Sequence, residues 1–124
     1  MQSFADHSQR TVVIGATPLT LEVVSTEASR EQGLSGRGSL APGTGMLFVF
    51  DSDGQWGFWM KDMLFNIDMV WVAADGTVVT VAKDVSPDTY PQVFYPSSPA
   101  RYVLELPAGF ADSHHLAEGS KIVI

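Results

Sequence analysis

The sequence contains no cysteine, which excludes disulfide bonds, thiol catalysis and zinc–thiolate sites. Positive charge is also scarce: Lys and Arg number 7, Asp and Glu number 14, and the net charge is −7. This charge would repel a phosphate backbone and an anionic membrane surface, so we expect neither nucleic acid nor acidic lipid as a partner. No apolar run approaches the roughly 20 residues that span a bilayer, so no transmembrane segment is expected.

The start of the chain lacks the features of a packed segment. Met1–Arg10 has one aromatic residue, no periodicity and no apolar core of the kind found in signal peptides. We therefore expect residues 1–10 to form a flexible tail. Residues 11–124 are expected to form a single domain, because 45% of the chain is hydrophobic and its length is sufficient to bury a core.

The densest apolar stretch, residues 45–73, holds all three tryptophans and four of the five methionines. Alternation with period two predicts strands at Met46–Phe50, Gln55–Lys61 and Ile67–Ala73, with a turn at Asp51–Gly54. A strand with this alternation has one buried face, which predicts a set of core residues. They are Met46, Phe48, Phe50, Trp56, Phe58, Met60, Met69, Trp71, Tyr102 and Leu104.

Further strands are predicted on both sides of this stretch. They are Thr11–Ile14, Pro18–Val24, Thr77–Ala82, a short edge strand near Val93–Tyr95, Arg101–Leu106 and Lys121–Ile124. A short helix is predicted between a cap at Ser25 or Thr26 and a stop at Gly33, and a second from Pro107 to about His114. Asp75-Gly76 is a strong hairpin signal. About eight strands, two short helices and frequent turns predict a mainly β fold, a β-sandwich or small barrel.

Several blocks resemble the bacterial and archaeal family called domain of unknown function 192. They are Gly33-Leu34 with Arg37, Gly45–Phe50, Phe58–Lys61 with Asp68, Pro99–Glu105 and Ala108–Ala111. The resemblance covers roughly Val12–Ile124, and it departs from the family pattern at Asp62, usually asparagine, and at Asn66, usually proline. It implies a jelly-roll-like sandwich and an exported, often periplasmic protein, with a cytoplasmic location as the alternative. It implies no established activity.

Six residues form the candidate site: Arg37, Trp59, Lys61, Asp68, Arg101 and Glu105. Ionised groups on such apolar strands need partners or a purpose, so we expect their charged ends to converge beside Trp59. Three cations against two acids would favour an anionic or hydroxyl-rich ligand. The structural alternative is a set of ion pairs that close one end of the sandwich, with Trp59 in the core.

The sequence leaves three functional hypotheses open. The leading one is non-enzymatic binding of a small molecule or an envelope partner through Trp59, Lys61 and Arg101. The second is a hydrolase of a carbohydrate-like substrate, with Asp68 and Glu105 as the acid/base pair. The third is an interaction module that uses the proline-rich segment 86–99, which exposed side chains at Tyr90 and Tyr95 would favour.

No cofactor and no metal site is predicted. Asp51–Gly54 resembles a fragment of a calcium loop but lacks the distal glutamate, so a plain turn is favoured. His114 and His115 are adjacent, and neighbouring residues on a helix point about 100° apart, so they favour a surface pair over a metal site.

Overall fold

Residues 4–124 are described by a computed structural model, and within them the chain forms eight β-strands and two short α-helices. The strands are β1 (Gln9–Ile14), β2 (Thr17–Val24), β3 (Thr44–Gly54), β4 (Phe58–Trp59), β5 (Ile67–Val72), β6 (Val78–Val85), β7 (Val93–Phe94) and β8 (Ala100–Pro107). The helices are α1 (Glu27–Gln32) and α2 (Phe110–Ser113), and Pro87–Thr89 forms a 3₁₀ helix. The predicted mainly β fold is confirmed.

Six strands form one mixed sheet in the order β1-β2-β3-β8-β5-β6, while β4 pairs with β7 in a small second sheet. The β2–β3 pair is parallel, and it is connected through α1 and the loop formed by residues 33–43, since parallel neighbours require a crossover. The other pairs are antiparallel. The Asp75-Gly76 hairpin joins β5 to β6 as predicted, with Gly76 at a φ of 90°.

The central strands are buried on both faces, which explains why they are almost wholly apolar. On β3, Leu47 and Val49 face one hydrophobic cluster, which also contains residues of β1, β6 and the C-terminal segment. Met46 and Phe48 face the opposite cluster, which lies beneath α1, β4 and the residues after β4. This second cluster carries the candidate site.

Six of the ten predicted core residues are buried, and the other four are only half-buried. Buried residues are Met46, Phe48, Met60, Met69, Trp71 and Leu104. Phe50, Trp56, Phe58 and Tyr102 are half-buried. The first three of these line an open cavity on the side of the second cluster, so one edge of each ring meets solvent.

The helix after β2 forms where local signals predict it. Thr26 caps α1 by accepting a hydrogen bond from the Ser29 backbone N–H at 3.1 Å, and the helix ends at Gly33, whose φ is 47°. A side chain at Gly33 would also approach the Phe48 ring to 3.2 Å, so glycine lets α1 pack closely on β3. This packing brings α1 over the second cluster.

Other predicted boundaries were wrong. The residues predicted as a turn, Asp51–Gly54, continue β3, whose pairing with β8 shifts register between Val49 and Gly54. The long strand predicted at Gln55–Lys61 is reduced to β4, because the Trp56 ring stacks on Phe50 and holds the chain against β3.

The C-terminal part also differs from its prediction. Pro107 ends β8 rather than opening a helix, and α2 begins only at Phe110. The predicted last strand reduces to one bridge between Thr77 and Lys121.

Residues 4–10 belong to the fold, although the sequence assigned them to a flexible tail. Phe4 packs on Tyr102 with a ring separation of 5.7 Å, and Asp6 accepts hydrogen bonds from the Ser25 backbone and the Ser29 hydroxyl. These anchors explain why β1 already begins at Gln9. The prediction for residues 1–3 lies outside the described residues. No helix within residues 4–124 is both long and apolar enough to cross a membrane.

Candidate functional site

A cavity of about 1000 Å³ opens between α1, the outer half of β3, β4 and the residues that follow β4. We call it the α1–β4 cavity. Its aromatic lining consists of Phe48, Phe50, Trp56, Phe58 and Trp59. Aromatic side chains offer large, rigid contact area, so the cavity presents preformed flat surfaces to a small molecule.

The aromatic wall is held by specific ring contacts. Trp56 stacks on Phe50 with centroids 4.5 Å apart and planes within 6°. Phe58 meets the Phe48 ring edge-on at 4.8 Å, which fixes β4 above the sheet. The backbone is fixed as well, because the Trp71 indole donates a hydrogen bond to the Trp56 carbonyl at 2.8 Å.

Arg30 joins this wall from α1. Its guanidinium lies over Phe50 at 4.9 Å from the ring centroid and donates hydrogen bonds to the carbonyls of Ser25 at 2.7 Å and Val49 at 3.0 Å. The charge of Arg30 is therefore largely engaged in holding α1 on β3.

Glu105 lies on the floor of the α1–β4 cavity. Glu105 is paired with Met46 on β3 and with Met69 on β5, so its carboxyl lies between two apolar neighbours on the face of the second cluster. Glu105 is only 4% exposed. Burial raises the pKa of this carboxyl to about 8, since the charged form loses its hydration.

Among residues 4–124, the Glu105 carboxyl takes part in no hydrogen bond and in none of the ion pairs. Yet every fully enclosed side-chain oxygen or nitrogen within those residues has a hydrogen bond. The carboxyl oxygens must therefore reach the open space of the cavity, where an incoming group can meet them.

Trp59 and Lys61 lie at the rim of the same cavity. Trp59 is 44% exposed, so it is a wall residue rather than the core residue of the structural alternative. The Lys61 ammonium lies 5.8 Å from the centre of the Trp59 ring, within range of a cation–π interaction. The structure thus brings together three of the six predicted residues: Trp59, Lys61 and Glu105.

Asp68 lies on the other face of the sheet. It is paired with Leu106, whereas Glu105 is paired with Met69, so the two carboxylates point to opposite sides. Asp68 is fully buried and accepts backbone hydrogen bonds from Asp84 at 2.8 Å, Gly109 at 3.3 Å and Ala111 at 2.9 Å. It caps α2, which has no side-chain cap of its own.

The two predicted arginines pair elsewhere. Arg37 forms an ion pair with Glu22 at 3.0 Å, and Arg101 pairs with Asp53 at 2.9 Å. Neither lines the cavity. The expectation of an anionic or hydroxyl-rich ligand rested on three converging cations, and that convergence is not found, because only Lys61 among them lines the cavity.

The sequence missed much of the charged lining. Four acids besides Glu105 line the cavity: Glu27, Glu31, Asp51 and Asp62. A signal for two of them was present, since Glu27 and Glu31 are four residues apart and share one face of a helix with Arg30. That signal did not reveal what the helix face would cover.

Residues 10–124 match DUF192, described as Uncharacterized ACR. The chain belongs to the DUF192 family. A comparison with curated proteins found no match.

Two solved structures resemble this DUF192 chain. One is a candidate transcription regulator from Sinorhizobium meliloti 1021, with a TM-score of 0.87, 29% identity and coverage of 96% of this chain and 95% of that one. The other is a protein of unknown function from Novosphingobium aromaticivorans DSM 12444, with a TM-score of 0.82, 25% identity and coverage of 92% and 82%.

The two departures from the DUF192 pattern have structural consequences. Asp62 has a φ of 59°, a left-handed conformation in which asparagine, the usual residue, is well tolerated. Asn66 donates a hydrogen bond to the Asp84 carboxylate at 2.9 Å, which proline has no group to form. The first departure adds one negative charge to the cavity rim.

Proposed function

We propose that this protein binds a small organic molecule in the α1–β4 cavity without transforming it. The observation that carries the proposal is the Glu105 carboxyl, which is buried, unpartnered within residues 4–124 and turned toward the cavity. Because the surroundings of this carboxyl are apolar, a hydrogen bond from a ligand donor is stronger there than the same bond in bulk water.

The aromatic wall supports a ligand with a flat or apolar body. Trp59 lies at the rim with 44% of its surface exposed, while Phe50 and Trp56 are already stacked on each other. A wall that is preformed loses little conformational freedom when a ligand binds, which favours affinity.

The hydrolase alternative has no support in this geometry. Paired-carboxylate hydrolysis needs both groups beside one bond, whereas Asp68 and Glu105 lie on opposite faces of the sheet. The Sinorhizobium relative is described as a candidate transcription regulator, but the net charge of −7 disfavours contact of this chain with nucleic-acid phosphates. We propose that this binding takes place in the cell envelope, because the family resemblance implies an exported protein.

A fragment screen by ligand-observed NMR tests the proposal. We expect hits that lose their signal in Trp59→Ala and weaken in Glu105→Gln. Val13→Ala is the matched control, because Val13 is 54% exposed on β1, outside the cavity lining. An empty screen, or hits that persist unchanged in both cavity variants, would overturn the proposal.

A second candidate function is an interaction module, and one observation favours it. Tyr90 and Tyr95 are 45% and 61% exposed, and Tyr90 contacts Trp59 with ring centroids 5.2 Å apart. Exposed aromatic groups of this kind favour protein contacts. Photo-crosslinking from position 95 in cells, compared with position 13, tests it: equal crosslinking at both positions would remove this candidate.

A further inference from the structure

We infer that the ligand of the α1–β4 cavity is an organic cation with N–H donors, such as an amidinium, guanidinium or ammonium group on a flat apolar body. This inference rests on the proposed binding function and narrows it to one chemical class. Three independent features of the cavity carry it: the charge of its lining, the behaviour of its aromatic rings and the position of Glu105.

The lining is strongly acidic. Its acids are Glu27 and Glu31 on α1, Asp51 on β3, Asp62 after β4, and Glu105 on the floor. Its bases are Arg30 and Lys61, and Arg30 is already engaged with two carbonyls and the Phe50 ring. A cavity lined mainly by one sign of charge attracts the opposite sign, so cations are concentrated here.

The aromatic rings already hold cations of the protein itself. Arg30 lies over Phe50, and Lys61 lies 5.8 Å from the centre of the Trp59 ring. The Lys61 ammonium forms no ion pair among residues 4–124, and its contact there is with the Trp59 ring. A ligand cation would therefore compete with Lys61 for this ring and be repelled by its charge.

The floor provides the anchor. The Glu105 carboxyl stands between Met46 and Met69, which carry no charge, and the charged groups that face it across the cavity are those named above. A planar amidinium supplies two N–H donors that match the two oxygens of a carboxylate. Such a ligand would satisfy the carboxyl and lower its pKa, so binding near neutral pH releases a proton.

The experiment compares benzamidinium with benzamide, which has nearly the same shape and no charge. Affinity is measured by calorimetry at pH 6 and pH 9. Because burial raises the pKa of Glu105 to about 8, only about 1% of it is ionised at pH 6. We expect benzamidinium to bind roughly 100-fold more tightly at pH 9, and benzamide to show no such change.

Two variants distinguish the contributions. Glu105→Gln should abolish the pH dependence, whereas the exposed Glu118→Gln should leave it unchanged. Lys61→Gln should strengthen benzamidinium binding more than benzamide binding, because only the cation is repelled by the Lys61 charge, with Lys121→Gln as the matched control. A gain of affinity is informative because a damaged fold does not produce one.

The outcomes separate this inference from the proposed function. If benzamide binds as tightly as benzamidinium at pH 9, the cation class is wrong and the cavity remains a binding site. If neither compound binds while the fragment screen yields neutral hits, the cation class is wrong and the proposed binding function stands. If neither binds and the screen is empty, both fall.

Discussion

Replacing Glu105 by glutamine should remove one part of the pH dependence of stability. Burial raises the pKa of Glu105 to about 8 in the folded protein, whereas the ordinary value is 4.5. Between these two values the folded state retains a proton that the unfolded state has released. The free energy of unfolding must therefore fall as pH rises from about 4.5 to about 8, and then level off.

The magnitude follows from the same two values. An interval of about 3.5 between 4.5 and about 8, at 1.36 kcal/mol per pKa unit, corresponds to about 5 kcal/mol of lost stability at pH 9. This is an upper value, because the carboxyl oxygens reach an open cavity that water can enter. It remains large beside a total stability of about 5–15 kcal/mol for a typical domain.

Urea unfolding followed by tryptophan fluorescence, at intervals from pH 5 to pH 9, measures the effect. We expect Glu105→Gln to gain stability relative to the wild type as pH rises, by several kcal/mol at pH 9, since the amide never ionises. Glu118→Gln should follow the wild-type curve. If Glu105→Gln and the wild type keep a constant difference across the range, the carboxyl is not desolvated and the reasoning fails.

Three further predictions concern stability and are measured by thermal or urea unfolding. Asp68→Ala leaves three backbone amides without their acceptor, that of Ala111 being buried, and should cost about 3 kcal/mol, with Asp68→Asn intermediate; an unchanged midpoint would show that α2 needs no cap. Gly45→Ala places a Cβ 2.7 Å from a β8 carbonyl and should cost about 1–3 kcal/mol, so a neutral result would refute the close β3–β8 approach. Asp62→Asn should stabilise by about 0.5 kcal/mol at its positive φ, and a loss of stability would contradict that reason.

Elements set by local signals were predicted well. The bounds of α1 follow from a capping threonine and a terminal glycine, and both act within a few residues of the helix. The hairpin at Asp75-Gly76 depends equally on local backbone chemistry. Such signals lie in adjacent residues and require no knowledge of the fold.

Features that depend on distant partners were not predictable. β3 continues through Asp51–Gly54 because its register with β8 shifts and pairing resumes at Ala100, which lies far along the chain. Arg37 and Arg101 were predicted to lie in the site because of their charge alone. In the structure Arg37 pairs with Glu22, and Arg101 pairs with Asp53. Composition shows that a charge needs a partner and does not show which one.

Asp68 and Glu105 show most clearly why only one of the two predicted carboxyls lies at the cavity. Both are acids inside apolar strands, so the sequence treats them alike. The antiparallel register of β5 and β8 pairs Glu105 with Met69, one residue away from Asp68, and side chains alternate between the faces of a strand. That one step places Asp68 at the amides of α2, where it is satisfied, and Glu105 under the aromatic cavity, where it is not. A register shift of one residue would place both carboxyls on the same face of the sheet, so the parity of the β5–β8 pairing is what leaves one carboxyl structural and the other available to a ligand.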